Sequence, residues 1–287
     1  MLPRAQVKNY DDPLGPKFEG QFATEQPDDR ATVKVVTYNI AQGRNVEQAI
    51  KEFQTLEPLP GADIILLQEM DEAGTEQIAH ALRLNHVYYP ASLPFMQTRN
   101  VGNAVLARWP LTQPRKLILP YRHPIIRQVR IAVRATIAVG NREVAVYSAH
   151  TETHTVMVQH RRAQVTALVN DLGPENGAVV VGGDFNTLTR RSIRRMTGQF
   201  ESVGLVRASA GSRPTVRVLG VPASATDHIF TRGFRVLAAG AVTTAKASDH
   251  FPVWAELAWS GGHELDPKVE PPGQTHGSAP TITRGQT

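Results

Sequence analysis

No cysteine occurs among the 287 residues. A disulfide framework, a thiolate metal site and a cysteine nucleophile are therefore excluded, and any metal must take oxygen or imidazole ligands. Long apolar runs are missing as well, and none approaches the ~18 residues of a membrane span. The opening Met1-Leu2-Pro3-Arg4-Ala5-Gln6-Val7-Lys8 lacks the apolar core of a secretory signal. The expected location is the cytoplasm, or outside the cell if a leader was removed ahead of residue 1. Aromatic residues are few, at 6%, and nowhere interleave densely with basic ones, so the signature of an appended nucleic-acid module is absent. No internal repeat is found.

What is present is ordinary in bulk and uneven in detail. With 41% hydrophobic and 20% charged residues the chain reads as globular, and its length suits one large domain with tails or two small ones. The net charge is +5, and it is clustered. Eight Lys or Arg and no acid lie between Arg99 and Arg134, and seven Arg against Glu201 alone lie between Arg190 and Arg217. A one-signed field of this kind gathers anionic ligands, although it also serves merely to keep a surface solvated.

Residues 1–30 read as an irregular lead-in, punctuated by Asp11-Asp12-Pro13, Pro16 and Pro27. Alternating or β-branched runs then predict strands from Thr32 to Asn39, Asp63 to Glu69, Val87 to Tyr89, Gly102 to Ala107 and Leu117 to Leu119. Further strands are expected over Ile131 to Ala138, Glu143 to Ala149, Ala178 to Val181, Thr226 to Phe230 and Phe251 to Trp259. Helical spacing marks Val46 to Leu56, Gly74 to Leu84, His160 to Leu172 and Ser192 to Phe200. This order predicts an α/β chain of two packed sheets with helices outside, one domain over residues 31–259. A Gly-, Pro-, Thr- and Ser-rich tail of low order is expected over 260–287.

The chemistry gathers at strand ends: Asn39, Glu69, His150, Asp184 with Asn186, Asp227 with His228, and Asp249 with His250. Each alone is compatible with a turn or a cap, and Gly183-Asp184-Phe185-Asn186 by itself reads equally as an Asx-rich turn. Six such ends in one chain point to a shared rim, where functional groups collect.

The ordered set Thr37-Tyr38-Asn39, Leu67-Gln68-Glu69, Gly102-Asn103-Ala104, Ser148-Ala149-His150, Gly183-Asp184-Phe185-Asn186, Thr226-Asp227-His228 and Ser248-Asp249-His250-Phe251-Pro252 resembles the endonuclease/exonuclease/phosphatase superfamily. That superfamily includes pancreatic-type DNases, abasic-site endonucleases, inositol polyphosphate 5-phosphatases and neutral sphingomyelinases. The resemblance covers about Val33 to Leu257 and implies a four-layer α/β/β/α sandwich with its site at one end of both sheets.

The resemblance further implies a phosphoesterase using Mg2+, with Mn2+ an alternative, on an anionic phosphodiester. Glu69, Asn39 and Asp249 would lie at the metal, a hard cation that takes few carboxylates from its protein. Asp184 would orient or deprotonate the attacking water, Asn186 would donate to phosphate, and His150 would assist the leaving oxygen or bind phosphate. Asp227 would hold His250, so either Asp184 or His250 serves as the base. Asn103, Arg99, Arg127 and Arg130 are candidates for substrate phosphate. His228 stands where many relatives carry a tyrosine, and packing is its expected role. His150 and His154 are four apart, but the strand running straight into them and the order His-Thr-Glu-Thr-His argue against a zinc helix.

Substrate choice in such a chain lies in loops, here Tyr88 to Val101, Pro120 to Arg130 and Arg207 to Ala225. The basic stretches favour nucleic acid. Leu93-Pro94-Phe95-Met96 and Leu219-Gly220-Val221-Pro222 are the apolar loops that a phospholipid-directed enzyme would use. A non-catalytic module that holds a phosphorylated ligand on the same rim is the alternative from another class.

Overall fold

The computed structural model describes residues 7–27, 30–153, 158–172, 177–218 and 221–260. Its elements in chain order begin β1 (Lys8–Asn9), β2 (Phe18–Gly20), β3 (Thr32–Asn39), α1 (Val46–Thr55), β4 (Ile64–Met70), α2 (Glu72–Leu82) and β5 (Asn85–Leu93). There follow β6 (Val101–Ala107), β7 (Thr112–Arg122), β8 (Val129–Val139), β9 (Arg142–His150), α3 (Val158–Leu172), β10 (Ala178–Asp184) and α4 (Arg190–Glu201). The last are β11 (Val206–Arg207), β12 (Arg217–Val218), β13 (Val221–Pro222), β14 (Asp227–Arg232), β15 (Phe234–Ala241) and β16 (Val253–Trp259).

Period-two alternation decides which layer each side chain enters. In β3, Val33 and Val35 face inward with Ile64 and Leu66 of β4, and meet Val133, Val146, Val180 and Ile229 of the other sheet. Their neighbours Val36, Tyr38, Ile65 and Leu67 face outward and pack on Ala49 and Phe53 of α1 and Ile78 of α2. On the far side, Val179, Val181 and Phe230 carry Val165 and Leu168 of α3 and Met196 and Phe200 of α4. The result is the α/β/β/α sandwich expected of this sequence.

One sheet runs β1-β5-β6-β4-β3-β16-β15, with β2 also on β5. The second runs β11-β14-β10-β9-β8-β7, and β12 and β13 form a separate ribbon. The parallel pairs are β3 with β4 and β9 with β10, so the carboxyl ends of the central strands of both sheets open on one rim.

Several stretches depart from the sequence expectation, the short β12 and β13 lying in a segment read as a loop. The supposedly irregular lead-in supplies β1 and β2, which pair antiparallel with β5. Both are short edge strands with mostly exposed side chains, so they carry no hydrophobic alternation to read. β15 escapes notice for the same reason, being an edge strand with only Phe234 buried. Residues 261–287, which include nearly all of the expected tail, lie outside the described residues.

Candidate active site

The strand register lines up the polar strand ends. Asp184 is the partner of His150 on one side and of Asp227 on the other, so three candidate site residues stand abreast across β9, β10 and β14. Opposite them, Asn39 ends β3 beside Gln68 of β4. Glu69 follows at a register break against β6 and takes a left-handed φ of 55°, a conformation uncommon for a residue with a side chain. That turn takes it out of the alternation of β4 and leaves it part-exposed beside the gap between the sheets. Asn186 is also left-handed, with φ 51°, and its backbone N–H donates to Asp184 Oδ1 at 2.9 Å. His250 arrives on the segment before β16, pinned by a bridge to Val216.

Asp184 Oδ2 is the point of convergence. Asn39 Nδ2 donates to it at 3.1 Å, His150 Nε2 lies 3.5 Å away and His250 Nε2 3.8 Å away. Asn39 Nδ2 also reaches Glu69 Oε1 at 3.3 Å, and that oxygen is 3.8 Å from His150 Nε2. His250 Nδ1 donates to Asp227 Oδ2 at 2.9 Å. The same Asp227 oxygen accepts from the hydroxyls of Thr215 and Thr226, each at 2.8 Å. Glu69, Asp249 and His250 line one cavity of about 410 Å³, together with Gln42 and Arg44.

A model of the Endonuclease/Exonuclease/phosphatase family matches residues 36–250, three quarters of the chain and every strand end just described. The chain belongs to that family. Among solved structures it is similar to an endonuclease/exonuclease/phosphatase from Beutenbergia cavernae, with TM-score 0.66 and 17% identity over 81% of this chain and 72% of that one. It is also similar to a mannosyl-6-phosphatase from Bacteroides thetaiotaomicron, with TM-score 0.63 and 17% identity over 79% of this chain and all of that one. At such identities the likeness is one of fold. Among curated proteins, a UPF0294 protein of Vibrio cholerae is 33% identical over 133 residues, 45% of this chain and 46% of that protein. A UPF0294 protein of Yersinia pestis is 26% identical over 137 residues, 47% of this chain and 51% of that protein. The chain thus spans about half the length of the curated relatives it matches.

Within this family site the protonation states divide. Burial works against a charge on His250, but Asp227 and then Asp184 outweigh it and hold the imidazole up at about 10. His150 is held well below its ordinary value by burial, with Arg130 and His250 adding to the effect, so it is neutral. Burial pushes the Asp184 carboxyl up, His250 opposes the shift, and Asp227 adds to it. His228 is pushed down to about 3, mainly by burial, and sits beside Phe185 and Phe230 with Thr187 Oγ1 at 3.0 Å from Nε2. Its surroundings are thus aromatic rings and one hydroxyl.

The proposed phosphate contacts are spread apart. Arg130 is buried with Nη1 3.2 Å from His150 Nε2, and it also donates to Glu152 Oε1 at 3.4 Å. Asn103 spends its amide on the carbonyls of Ile131 and Ser148, at 3.0 and 3.1 Å, tying β6 to the other sheet. Arg99 is bound to Asp71 and to the Gly43 carbonyl, away from the convergence point. Arg127 sits on the exposed turn between β7 and β8. His154 and the Leu219-Gly220 pair fall outside the described residues.

Much of the basic stretch from Arg99 to Arg134 is neutralised in the fold. Arg99 pairs with Asp71, Arg108 with Asp63, Arg115 with Asp171, Arg122 with Asp11 and Arg130 with Glu152. Those acids lie outside the stretch in sequence, so counting charges along the chain overstates its field. Sequence reasoning also missed Thr215, Glu152 and Gln68, whose Nε2 donates to Ser148 Oγ of the facing sheet at 2.9 Å. Gln68 and Thr226 stand inside the quoted motifs with no role given to them, whereas Thr215 stands in none.

Proposed function

We propose that the protein is a divalent-metal-dependent phosphoesterase that hydrolyses phosphodiesters by in-line attack of an activated water. The observation that carries this reading is the file Asp227–His250–Asp184, with His150 beside Asp184 on the same sheet and Asn39 and Glu69 facing them across the sheet gap. Three carboxylates converge there, and the donor set is oxygen and imidazole, which fits Mg2+ with Mn2+ as the alternative. Asp184, Asp227 and His250 offer ligand atoms within 4.8 Å of one another. Asp227, however, already spends its carboxylate on Thr215, Thr226 and His250. Glu69, with side-chain exposure of 24%, is open by contrast, so Glu69 would hold the ion with Asn39 and the exposed Asp249 beside it. Once bound, the ion neutralises phosphoryl oxygens as a Lewis acid.

The side chains supply the rest. Asp184 Oδ2, where Asn39, His150 and His250 meet, is the acceptor placed to orient the water and take its proton. His250, fixed by Asp227, presents Nε2 to a phosphate oxygen. Asn186 Nδ2 donates to the Thr151 carbonyl at 3.1 Å and keeps a second N–H for phosphate. His150, backed by Arg130, stands at the leaving oxygen or the phosphate. Nuclease-like substrates fit this chemistry. Exposed Phe95, Met96 and Ile125 beside the site favour a second reading, an amphiphilic phosphodiester.

The test is hydrolysis of bis-p-nitrophenyl phosphate and plasmid DNA with Mg2+, with EDTA, and with His250→Ala protein. Turnover abolished by EDTA and lowered by roughly 10²–10⁴-fold in the variant is expected. Folded, Mg2+-loaded wild-type protein that cleaves neither would overturn the enzymatic reading in favour of a phosphate-binding module.

A further inference from the structure

Two loops flank the site and carry apolar side chains into solvent. The β5–β6 loop exposes Phe95 by 55% and Met96 by 88%, and the β7–β8 turn exposes Ile125 by 83% and Ile126 by 50%. Both lie at the active-site end, since Met70 beyond Glu69 pairs with Gly102 and Ala149 before His150 pairs with Ala132. Between them is a cavity of about 900 Å³, lined by Phe95, Ile125, Ile126 and Arg127. Gln42 lines both this cavity and the one that holds Glu69 and His250.

The turn is built, not frayed. His123 Nδ1 accepts from the backbone N–H groups of Ile125 and Ile126, each at 3.2 Å. Asn9 clamps its far side, donating to the Arg127 carbonyl at 2.9 Å and accepting from Val129 N at 3.1 Å. An ordered turn that holds two isoleucines in water costs solubility and adds nothing to either core.

A separate observation concerns α4, which leaves the site four residues after Asn186. Its inner face buries Ile193, Met196 and Phe200, and its outer face exposes Arg190, Arg191, Arg194 and Arg195. Like charges stand at i,i+4 in the pairs 190–194 and 191–195, and the first turn places arginines against the positive end of the helix dipole. Both arrangements oppose helix stability. Among the described residues none of the four has a carboxylate partner, unlike Arg99, Arg108, Arg115, Arg122 and Arg130.

We propose that this rim docks on an anionic lipid bilayer, with Ile125, Ile126, Phe95 and Met96 entering the acyl layer and the α4 arginines meeting headgroups. The phosphodiester presented to Asp184 and His250 is then carried by an amphiphile, a substrate class that rests on the phosphoesterase reading above. Apolar tips combined with basic residues that lack carboxylate partners are the physical requirement for such docking. Nucleic acid fits less well, because single-strand binding calls for aromatic stacking planes and three of the four tips are aliphatic.

The experiment is co-sedimentation of the full chain with vesicles of phosphatidylcholine alone or mixed with phosphatidylglycerol, in EDTA so that no turnover is needed. Binding to the mixed vesicles, weakened by salt, is expected. The double variant Ile125→Asp/Ile126→Asp should bind roughly ten-fold more weakly or worse. Arg190→Ala/Arg194→Ala should lose about five-fold or more. All these positions are exposed, and a melting curve matching wild type confirms that each variant is folded. Wild-type protein that stays in the supernatant, or variants that bind as wild type does, would overturn the proposal, as would capture of a short DNA duplex in place of vesicles. A protein that hydrolyses bis-p-nitrophenyl phosphate but ignores vesicles fails the docking alone. One that binds vesicles but hydrolyses nothing fails the phosphoesterase reading alone.

Discussion

Asp227, a catalytic group in the proposed function, shows how much of such a group's setting comes from residues that no motif announces. Its neighbours Thr226 and His250 belong to short recognisable strings, but Thr215 lies 12 residues upstream and reaches Asp227 Oδ2 only because the chain doubles back. Thr215 Oγ1 also accepts from the backbone N–H groups of Thr226 and Asp227, at 2.8 and 3.1 Å. Asp227→Asn keeps the shape and removes the charge that orients His250. Turnover of bis-p-nitrophenyl phosphate in Mg2+ should fall on the order of 10²-fold or more, with KM little changed. Thr215→Val removes hydrogen bonds but leaves the charge, and a fall of only about five- to ten-fold is expected. Equal losses in the two variants would show that His250 is placed by packing and not by the Asp227 charge. The same locality explains the arginines. Asp63, Asp71 and Asp171 neutralise cations 28 to 56 residues away in sequence, which composition along the chain cannot reveal.

At the scale of elements, the long central strands were legible because both of their faces are buried and their β-branched runs are unbroken. The edge strands β1, β2 and β15 were not, having at most one buried face. Glycine carries information that strand propensity misses. A Cβ on Gly183 would stand 1.9 Å from the Ala149 carbonyl oxygen on the parallel neighbour, so β9 and β10 approach too closely for any side chain there. Gly183→Ala must push the two strands apart one residue before Asp184 and His150, the pair whose alignment the site depends on. A destabilisation of about 2 kcal/mol or more in urea unfolding is expected, with loss of phosphodiester turnover at temperatures where the variant is still folded. Gly198 is the counter-case, since nothing lies within 4 Å of a Cβ added on α4. Gly198→Ala should stabilise the protein by about 0.5–1 kcal/mol, and a destabilising result would mean that the α4 face is packed in solution.

At the scale of the whole molecule, the two sheets are joined at one side by a segment with no hydrophobic pattern. β1 and β2 extend the first sheet at β5, while Lys116, on β7 of the second sheet, is buried beneath them. Its ammonium donates to the carbonyls of Tyr10 at 2.7 Å, Gly15 at 3.0 Å and Pro90 at 3.4 Å, and Arg122 on the same strand pairs with Asp11 at 2.7 Å. Backbone carbonyls have no sequence signature, which is why residues 7–20 read as irregular. Holding a cation there by carbonyls alone has a cost. Burial pushes Lys116 down to about 8, with Asp12 and Asp11 only partly opposing. Below pH 8 the native and unfolded chains are both protonated at this lysine, and the native state bears the full penalty, on the order of 3 kcal/mol. Between pH 8 and the ordinary lysine value the unfolded chain binds the extra proton, so stability from this group rises with pH and then levels off. Tyr38, Tyr88 and Tyr147, raised mainly by burial, act in the opposite sense above pH 10. They are common to wild type and a Lys116→Met variant, so their effect cancels in the difference between the two. Urea unfolding of both proteins from pH 7 to pH 10 should show wild type gaining on the variant across the upper half of that range. A difference that stays flat would mean that the Lys116 ammonium is hydrated in solution, and that the N-terminal segment lies more loosely across the two sheets than its hydrogen bonds imply.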